Sequence, residues 1–271
     1  MAEIDPGTQL QTLDRWATRK RRAIEFLRQN GIGGITAKVR EAGINGTAAF
    51  VKRQIRYHLC SFLGSRWDRK FGVDTSGQID LIDVEVVGSN RDGGYSSVST
   101  SPSAYAFLAR FFPADWKNFT FVDVGCGKGR VLILAAQQGF DTIIGIEFAP
   151  LISQIAEQNL IHASVVKRTS WSVLNADATT IDLPSDAPLL VYCFNPFRAE
   201  IWERFILVLL KAHDANKNPI CLILSGTIPD ALNDAGAVIA GSAQFQERAH
   251  GVTPFFMDAY APYHYRIFDS I

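Results

Sequence analysis

From residue 104 onward, apolar stretches with the length of a strand alternate with amphipathic stretches with the length of a helix. Strands that are apolar almost throughout are typical of a parallel sheet covered by helices on both faces, so the pattern predicts an α/β fold. The last two strands, 243–249 and 263–269, are close enough in sequence to pair and form an antiparallel edge. The other predicted strands are 119–124, 142–148, 171–175, 189–194 and 220–225, and the predicted helices are 104–112, 129–138, 151–162, 200–214 and 229–235.

The pattern before residue 104 is different. Apolar residues recur at steps of three and four in 8–29 and again in 46–63, which predicts two amphipathic helices. The following stretch is polar and rich in Gly and Ser, apart from a short apolar alternation at 79–87. A segment of this length without regular structure is more often a functional loop or lid than a simple connector. We therefore expect a basic helical extension (1–70), a lid or loop segment (71–103) and one α/β domain (104–271).

The charge of the chain is unevenly distributed along its 271 residues. The 27 Lys and Arg residues balance the 27 Asp and Glu residues, but 1–70 contains 14 bases and only 6 acids. This segment thus carries +8, and the rest of the chain carries −8. A basic segment of this kind can bind an anionic partner such as a nucleic acid, or it can simply be a solvated helical surface, and the sequence leaves both interpretations open.

The four cysteines exclude several classes of site. They are Cys60, Cys126, Cys193 and Cys221, and no pair has CxxC spacing, which argues against zinc and thioredoxin-type sites, so we expect no metal. Cys193 and Cys221 lie in apolar predicted strands, and buried reduced thiols are typical of a reducing compartment. No stretch reaches the ~18 apolar residues of a membrane span, and the first residues do not resemble a signal peptide. We expect a cytoplasmic protein without a membrane span.

The strongest local motif is VDVGCGKGR, which begins in a predicted strand and ends in a predicted helix. Gly125, Gly127 and Gly129 let the backbone turn tightly and approach a ligand closely. The helix that follows directs its free N–H groups and positive partial charge toward such a ligand. The motif therefore indicates a nucleotide-type site.

Three interpretations compete for this motif. A dinucleotide site has the pattern GxGxxG, whereas this chain has GxGxG preceded by Asp123, whose carboxylate would repel a pyrophosphate and suits an amino group or a cationic centre. A P-loop needs Ser or Thr after its GK pair, and here Gly129 follows Lys128. The third interpretation is a glycine-rich turn without a ligand.

Polar residues at the ends of the neighbouring strands favour a ligand. Glu147 ends the next predicted strand about twenty residues after the turn, where an acid can bind both ribose hydroxyls. Asp177 follows the third strand and can accept a hydrogen bond from an exocyclic adenine amine, and Asn195 follows the fourth strand. Ligands of open α/β sheets bind at the carboxyl ends of the strands, so these side chains are expected to surround one crevice.

Together these motifs resemble those of class I S-adenosylmethionine-dependent methyltransferases. VDVGCGKGR is similar to their first motif, GIEFAP to their acidic motif and NADAT to their adenine motif. The resemblance implies a Rossmann-like sheet of seven mostly parallel strands with an antiparallel C-terminal edge, and S-adenosyl-L-methionine as cofactor of the 104–271 domain. It also implies cofactor contacts from Asp123, Gly125, Gly127, Gly129, Glu147, Asp177, Ala178 and Asn195.

A finer resemblance involves FGVDTSG and YSSVSTSPSAYAFLARFF. These segments look like a bacterial methyltransferase group that is loosely similar to the histone lysine methyltransferases without a SET domain. The resemblance implies that Tyr95, Ser101 and Tyr105 help to cover the cofactor from the loop before the first strand. The alternative interpretation is a surface loop whose tyrosines only pack against the domain.

Asn195-Pro196-Phe197 is the predicted catalytic segment at the acceptor. It resembles the Asn-Pro-Pro-aromatic motif of methyltransferases that act on amino or amide nitrogens, but it lacks the second proline. The resemblance implies that the Asn side chain accepts a hydrogen bond from the nucleophilic nitrogen and that the aromatic ring stacks on a planar acceptor. The alternative is an ordinary turn at the end of a strand.

We therefore expect an enzyme that methylates a nitrogen of a protein side chain, such as lysine, or of a small molecule. Three alternatives stay open: a nucleic-acid methyltransferase that binds phosphates through 1–70, a small-molecule O-methyltransferase with His250 or His264 as base, and a regulator that binds S-adenosylmethionine without transferring its methyl group.

Overall fold

The computed structural model describes residues 55–79, 84–88, 97–195 and 197–271. The predicted helix 8–29, the first part of the predicted helix 46–63, Tyr95 and Pro196 lie outside these residues. The second predicted helix is seen as α1 over 55–71, where it continues beyond its predicted end. After it, two very short strands, β1 (Gln78–Ile79) and β2 (Ser97–Val98), pair antiparallel.

The central sheet holds seven strands in the described part of the chain, in the order β5-β4-β3-β6-β7-β9-β8. The five strands from β5 to β7 are parallel, and β9 pairs antiparallel with both β7 and β8. From β3 the chain first continues to β4 on one side and later to β6 on the other side, so the strand order reverses at β3. Open α/β sheets bind ligands at such a point. The strands are β3 (Thr120–Val124), β4 (Thr142–Glu147), β5 (Ser170–Asn175), β6 (Leu189–Phe194), β7 (Ile220–Gly226), β8 (Phe245–Val252) and β9 (His264–Ser270).

Helices cover both faces of this sheet and bury two apolar layers. Phe121 and Tyr192 point into the layer beneath α3, whereas Val122 and Val191 point into the opposite layer beneath Trp202 and Phe205 of α5. The alternation of side chains along each strand thus divides the core in two. The helices are α2 (Pro102–Leu108), α3 (Arg130–Gln138), α4 (Pro150–His162), α5 (Ala199–Asn216) and α6 (Pro229–Gly241), with short 3-10 turns at Ala109–Phe111, Trp116–Asn118 and Ser164–Arg168.

The predicted fold is confirmed, and within the described residues the predicted strands and helices differ from their predicted bounds only at their ends. The helix predicted from residue 104 starts at Pro102 because Ser101 caps it, accepting a hydrogen bond from the Ala104 amide, and because proline suits the first helical turn. The helix predicted to end at 235 continues to Gly241. Among the helices that the structure describes, none is both long enough and apolar enough to cross a bilayer.

Gly145 gives a test of how closely α3 packs on the sheet. A Cβ at this position in β4 would lie 2.6 Å from Leu132 Cδ1 and 2.8 Å from Cys126 Sγ, whereas a Cβ at Gly241 would contact nothing within 4 Å. We expect Gly145→Ala to lower the free energy of unfolding by about 1–3 kcal/mol through overpacking. Gly241→Ala is the matched control and should be neutral or slightly stabilising. Equal denaturation midpoints for the two variants would contradict this packing.

Candidate functional site

The glycine turn joins β3 to α3 at the carboxyl end of the sheet. Gly125, Gly127 and Gly129 have φ angles of +74°, +54° and +82°, a region that residues with a Cβ adopt only at a cost. The amides of Gly125 and Cys126 donate to the Ile146 carbonyl over 2.9 and 3.0 Å, which ties the turn to β4. The positive φ angles therefore explain why glycine is required at these three positions.

Asp123 lies in β3 two residues before the turn, and its side chain is only 2% exposed. Within the described residues, no hydrogen bond reaches its carboxylate. Burial, and then the charge of Glu147, raise the pKa of Asp123 well above its usual range. A carboxylate in this state is costly unless a cation or a hydrogen-bond donor reaches it.

Glu147 ends β4 beside the turn and is also buried. Its Oε2 accepts a hydrogen bond from the Gly127 amide over 3.0 Å, and its Oε1 accepts one from the Ala149 amide over 3.0 Å. Burial raises the pKa of Glu147 to about 7, although the amide hydrogen bonds oppose this shift. Each carboxylate oxygen has a second lone pair, so Glu147 can brace the turn and still accept hydrogen bonds from a ligand.

Asp177 follows β5, the outermost strand of the sheet beside β4. Its Oδ1 accepts hydrogen bonds from the amide and the hydroxyl of Thr179, over 3.0 and 2.8 Å. The predicted lid segment passes nearby, because a Cβ at Gly88 would lie 2.8 Å from Asp177 Oδ2. The Val87 amide donates to the Phe148 carbonyl over 2.8 Å. Val87 and Gly88 therefore lie beside the carboxyl ends of β4 and β5, and Ala178 packs partly buried against the core.

Tyr105 of α2 lies on the inner side of the crevice. Its side chain is 3% exposed, its ring centroid is 6.3 Å from that of Tyr192, and its hydroxyl is buried without a hydrogen-bond partner among the described residues. Burial is the main reason why the pKa of Tyr105 is well above its usual range, and the nearby charge of Asp123 adds to it. A phenol and a carboxylate therefore lie close together here with their hydrogen-bonding capacity unused.

Asn195 follows β6 and adopts a left-handed conformation with φ +46°. Its side chain lies over Gly226 at the end of β7, and its Nδ2 donates to Thr227 Oγ1 over 3.4 Å. The Oδ1 atom is buried, and no described residue donates to it. Asn195 thus lies at the carboxyl end of the parallel strands, and its side chain lies against β7.

The ring of Phe197 lies in the apolar core. It is 7% exposed, and its centroid is 4.5 Å from that of Trp202 and 5.4 Å from that of Phe205. This packing in the core is a sufficient reason for an aromatic residue at position 197, and it requires no contact with a methyl acceptor. Its stacking on an acceptor stays a prediction, as does the role of Pro196.

The two histidines considered as bases lie on the antiparallel edge. The His250 side chain is 76% exposed and lies 3.4 Å from Glu247. His264 begins β9 opposite Gly226, which is nearer to the crevice. No group of three or more metal-ligating side chains occurs in the part of the chain that the structure describes.

Several side chains at this site were missed by the sequence analysis. Lys128 and Arg130, the two cations of the glycine motif, are both buried. Lys128 pairs with Asp74, and Arg130 pairs with Asp68 of α1. Two cations at the start of a helix are electrostatically unfavourable, and this signal in the sequence indicates that acids must lie nearby.

The residues present fit a ligand with a cationic amino-acid group and a nucleoside. Asp123 and the Tyr105 hydroxyl supply an anion and a polar group without partners beside the glycine turn. Glu147 and Asp177 follow on the next two strands, in the direction of the lid segment 84–88. These carboxylates are hydrogen-bond acceptors, which suits a ligand whose donors are an amino group, ribose hydroxyls and an adenine amine.

Part of the chain matches a known family of domains, and the fold is similar to that of solved structures. Residues 121–214 match the methyltransferase domain family. The fold is similar to that of the magnesium protoporphyrin IX methyltransferase of Synechocystis PCC 6803 with bound SAM, at 19% identity and a TM-score of 0.50, covering 81% of this chain and 97% of that chain. A ribosomal protein L11 methylase of Lactobacillus delbrueckii subsp. bulgaricus is also similar, at 17% identity and a TM-score of 0.43, covering 62% of this chain and 75% of that one. The search of curated proteins gave no match.

The family match begins at the second residue of β3 and ends in α5, so it contains the glycine turn, Glu147, Asp177 and Asn195. The loose similarity to non-SET histone lysine methyltransferases finds no support in these comparisons. The chain is an enzyme, and its residues 121–214 match the methyltransferase domain family.

Proposed function

We propose that this enzyme transfers a methyl group from S-adenosylmethionine to a nitrogen atom, on a protein side chain or on a small molecule. The cofactor is S-adenosylmethionine, whose sulfonium supplies an already activated methyl group. The protein must therefore align the acceptor and exclude water, rather than provide a strong acid or base.

The chain's own residues divide this work along the crevice. Asp123, buried without a donor, is suited to hold the amino group of the cofactor, and the nearby Tyr105 hydroxyl is suited to add a hydrogen bond. Glu147 is suited to accept hydrogen bonds from the ribose, and Asp177 from the adenine amine. These roles are proposals, supported by the burial of the three carboxylates and, for Asp123 and the Tyr105 hydroxyl, by the lack of a hydrogen-bond partner among the described residues.

The observation that carries the proposal for the acceptor is the Oδ1 atom of Asn195. This oxygen is buried at the carboxyl end of β6, without a donor among the described residues. An unsatisfied buried acceptor costs roughly 1–3 kcal/mol, and an N–H group of the acceptor molecule would remove that cost. A neutral amine also has the lone pair that it needs to attack a methyl group.

An oxygen acceptor would need a base close to the reacting atom. His250 is largely exposed beside Glu247, which is a poor position for this role. An N-methyltransferase needs only the hydrogen bond from nitrogen to Asn195 and a dry channel that favours the neutral amine. His264 lies nearer, opposite Gly226, so the preference for nitrogen over oxygen rests on Asn195 Oδ1 and not on the lack of a base.

The proposal for the acceptor predicts the effect of Asn195→Ala. With methyl-labelled S-adenosylmethionine and a pool of proteins and metabolites as acceptors, this variant should lose at least about tenfold in the rate of label transfer. Its affinity for S-adenosylhomocysteine should change little. Asn216→Ala is the control, because Asn216 bonds to Ser185 at the other end of α5.

The transferred label should be stable to mild base, as an N-methyl group is. Label found in ethers, methyl esters or nucleic acid would contradict the proposed acceptor.

The proposed role of Asp123 predicts that Asp123→Ala weakens the binding of S-adenosylhomocysteine by about tenfold or more, on the order of 1.4 kcal/mol. The reason is the loss of the carboxylate that is proposed to hold the amino group. Isothermal titration calorimetry on the folded variant is the measurement. Asp141→Ala is the control, because Asp141 is exposed before β4, at the opposite end of the strands. An unchanged dissociation constant for Asp123→Ala would refute the assignment.

The raised pKa of Glu147 predicts that cofactor binding releases protons. The pKa is about 7 in the free protein, and ribose hydroxyls bind best to the ionised carboxylate, so binding lowers this pKa. The affinity for S-adenosylhomocysteine should therefore rise between about pH 6 and pH 8. Titrations at pH 6.5 in two buffers of different ionisation enthalpy measure the protons released.

Glu147→Gln serves as the control for this proton release. It should bind more weakly than the native enzyme and release fewer protons, because Asp123 is then the main buried carboxylate left to titrate. Equal heats in both buffers for the native enzyme at pH 6.5 would contradict the proposed role of Glu147.

A further inference from the structure

A buried ion pair joins α1 to the first residue of α3. Arg130 Nη2 lies 3.2 Å from Asp68 Oδ1, with side-chain exposures of 7% and 8%. The Arg130 guanidinium also lies over the ring of Trp67, with its Cζ 5.2 Å from the ring centroid. These contacts connect a helix outside the matched family region to the residue directly after the last glycine of the turn.

Two hydroxyl residues complete the shell around this pair. Thr75 Oγ1 donates to Asp68 Oδ1 over 2.5 Å and accepts from Arg130 Nε over 2.7 Å. Ser76 Oγ accepts from Arg130 Nη2 over 2.8 Å. The amides of Thr75 and Ser76 donate to Asp68 Oδ2 over 3.1 and 2.7 Å. Asp68 thus fixes segment 73–76, and that segment in turn holds Arg130.

A second set of contacts holds the same segment on the glycine turn. Lys128 Nζ donates to Asp74 Oδ1 over 2.9 Å. Asn159 of α4 donates through Nδ2 to the carbonyls of Asp74 and Lys128, over 2.8 and 2.9 Å, and accepts from the Asp74 amide over 2.8 Å. The backbone of the turn is therefore held from outside the sheet as well as by β4.

Electrostatics explains why Asp68 matters to the turn. The N-terminus of α3 carries a positive partial charge, so a buried cation at its first residue is unfavourable unless an anion compensates it. Burial lowers the pKa of Arg130, and the charge of Asp68 opposes that shift, with smaller contributions from Tyr263 and Asp258. Without Asp68, Arg130 would have to move toward solvent, and it would pull on the left-handed Gly129 beside it.

We propose that Asp68 is a positioning residue for the cofactor: through Arg130 and Thr75 it holds the glycine turn in the shape that binds S-adenosylmethionine. The cofactor site then includes part of the segment before the methyltransferase domain. This inference rests on the proposed cofactor-binding role of the crevice. We expect a loss of Asp68 to weaken cofactor binding but to leave the rate of methyl transfer largely unchanged. The reason is that Asp68 is linked to the glycine turn and has no hydrogen bond to β6 or β7, where the proposed acceptor residue Asn195 lies.

The test is Asp68→Asn in the full chain, which keeps the size of the side chain and removes its charge. We expect the dissociation constant for S-adenosylhomocysteine and the KM for S-adenosylmethionine to rise by at least about tenfold, with kcat at saturating cofactor within about threefold of native. Asp269→Asn is the matched control, because Asp269 also pairs with an arginine, Arg248, over 2.6 Å. That pair lies opposite Cys221, near the start of β7 and away from the glycine turn. The control should bind as the native enzyme does.

Calorimetric stoichiometry separates positioning from a general loss of structure. If Asp68 were only structural, the fraction of binding-competent protein would fall while the dissociation constant stayed native, and the inference would be wrong. If Asp68→Asn does not fold, Thr75→Val replaces it, since this variant removes only the hydroxyl between Asp68 and Arg130. It should raise the dissociation constant in the same direction by a smaller factor, and native affinity would overturn the inference. A native enzyme that binds no S-adenosylhomocysteine would instead refute the proposed function.

Discussion

A buried carboxylate at the centre of the sheet is the constraint on which the rest of the site depends. Asp123 lies at the carboxyl end of the middle parallel strand with 2% exposure, and no described residue donates a hydrogen bond to it. Such a group is costly in the free protein, and Glu147 on the next strand raises its pKa further. The arrangement makes chemical sense when a ligand brings a positive charge to this point.

The glycine turn allows that ligand to approach, and the surrounding polar network keeps the turn in place. Its backbone is bonded on one side to β4 and Glu147. On the other side it carries Lys128 and Arg130, which reach acids that precede the matched family region. The predicted division into 1–70, 71–103 and 104–271 is therefore crossed by buried hydrogen bonds. Asp68 and Thr75 take part in the same network as Arg130.

The sequence allowed the sheet and the strand-end acids to be predicted, because both depend on local patterns. Apolar runs define β3 to β7, and the spacing from Asp123 to Glu147 follows from one strand–helix–strand unit. The partners of Lys128 and Arg130 could not be paired from sequence, since Asp68 and Asp74 are more than fifty residues away and no periodicity links them. The packing of the Phe197 ring against Trp202 could not be predicted either, because the sequence does not reveal the direction of a side chain after a strand.

We infer that neighbouring parallel strands form one crevice for an adenosyl sulfonium cofactor. A crystal structure of the full chain with S-adenosylhomocysteine tests this directly. We expect the amino group at Asp123, the ribose at Glu147 and the adenine near Asp177, with Asn195 facing the sulfur. A ligand bound elsewhere, or no binding at millimolar concentration, would show that the strands do not form this crevice.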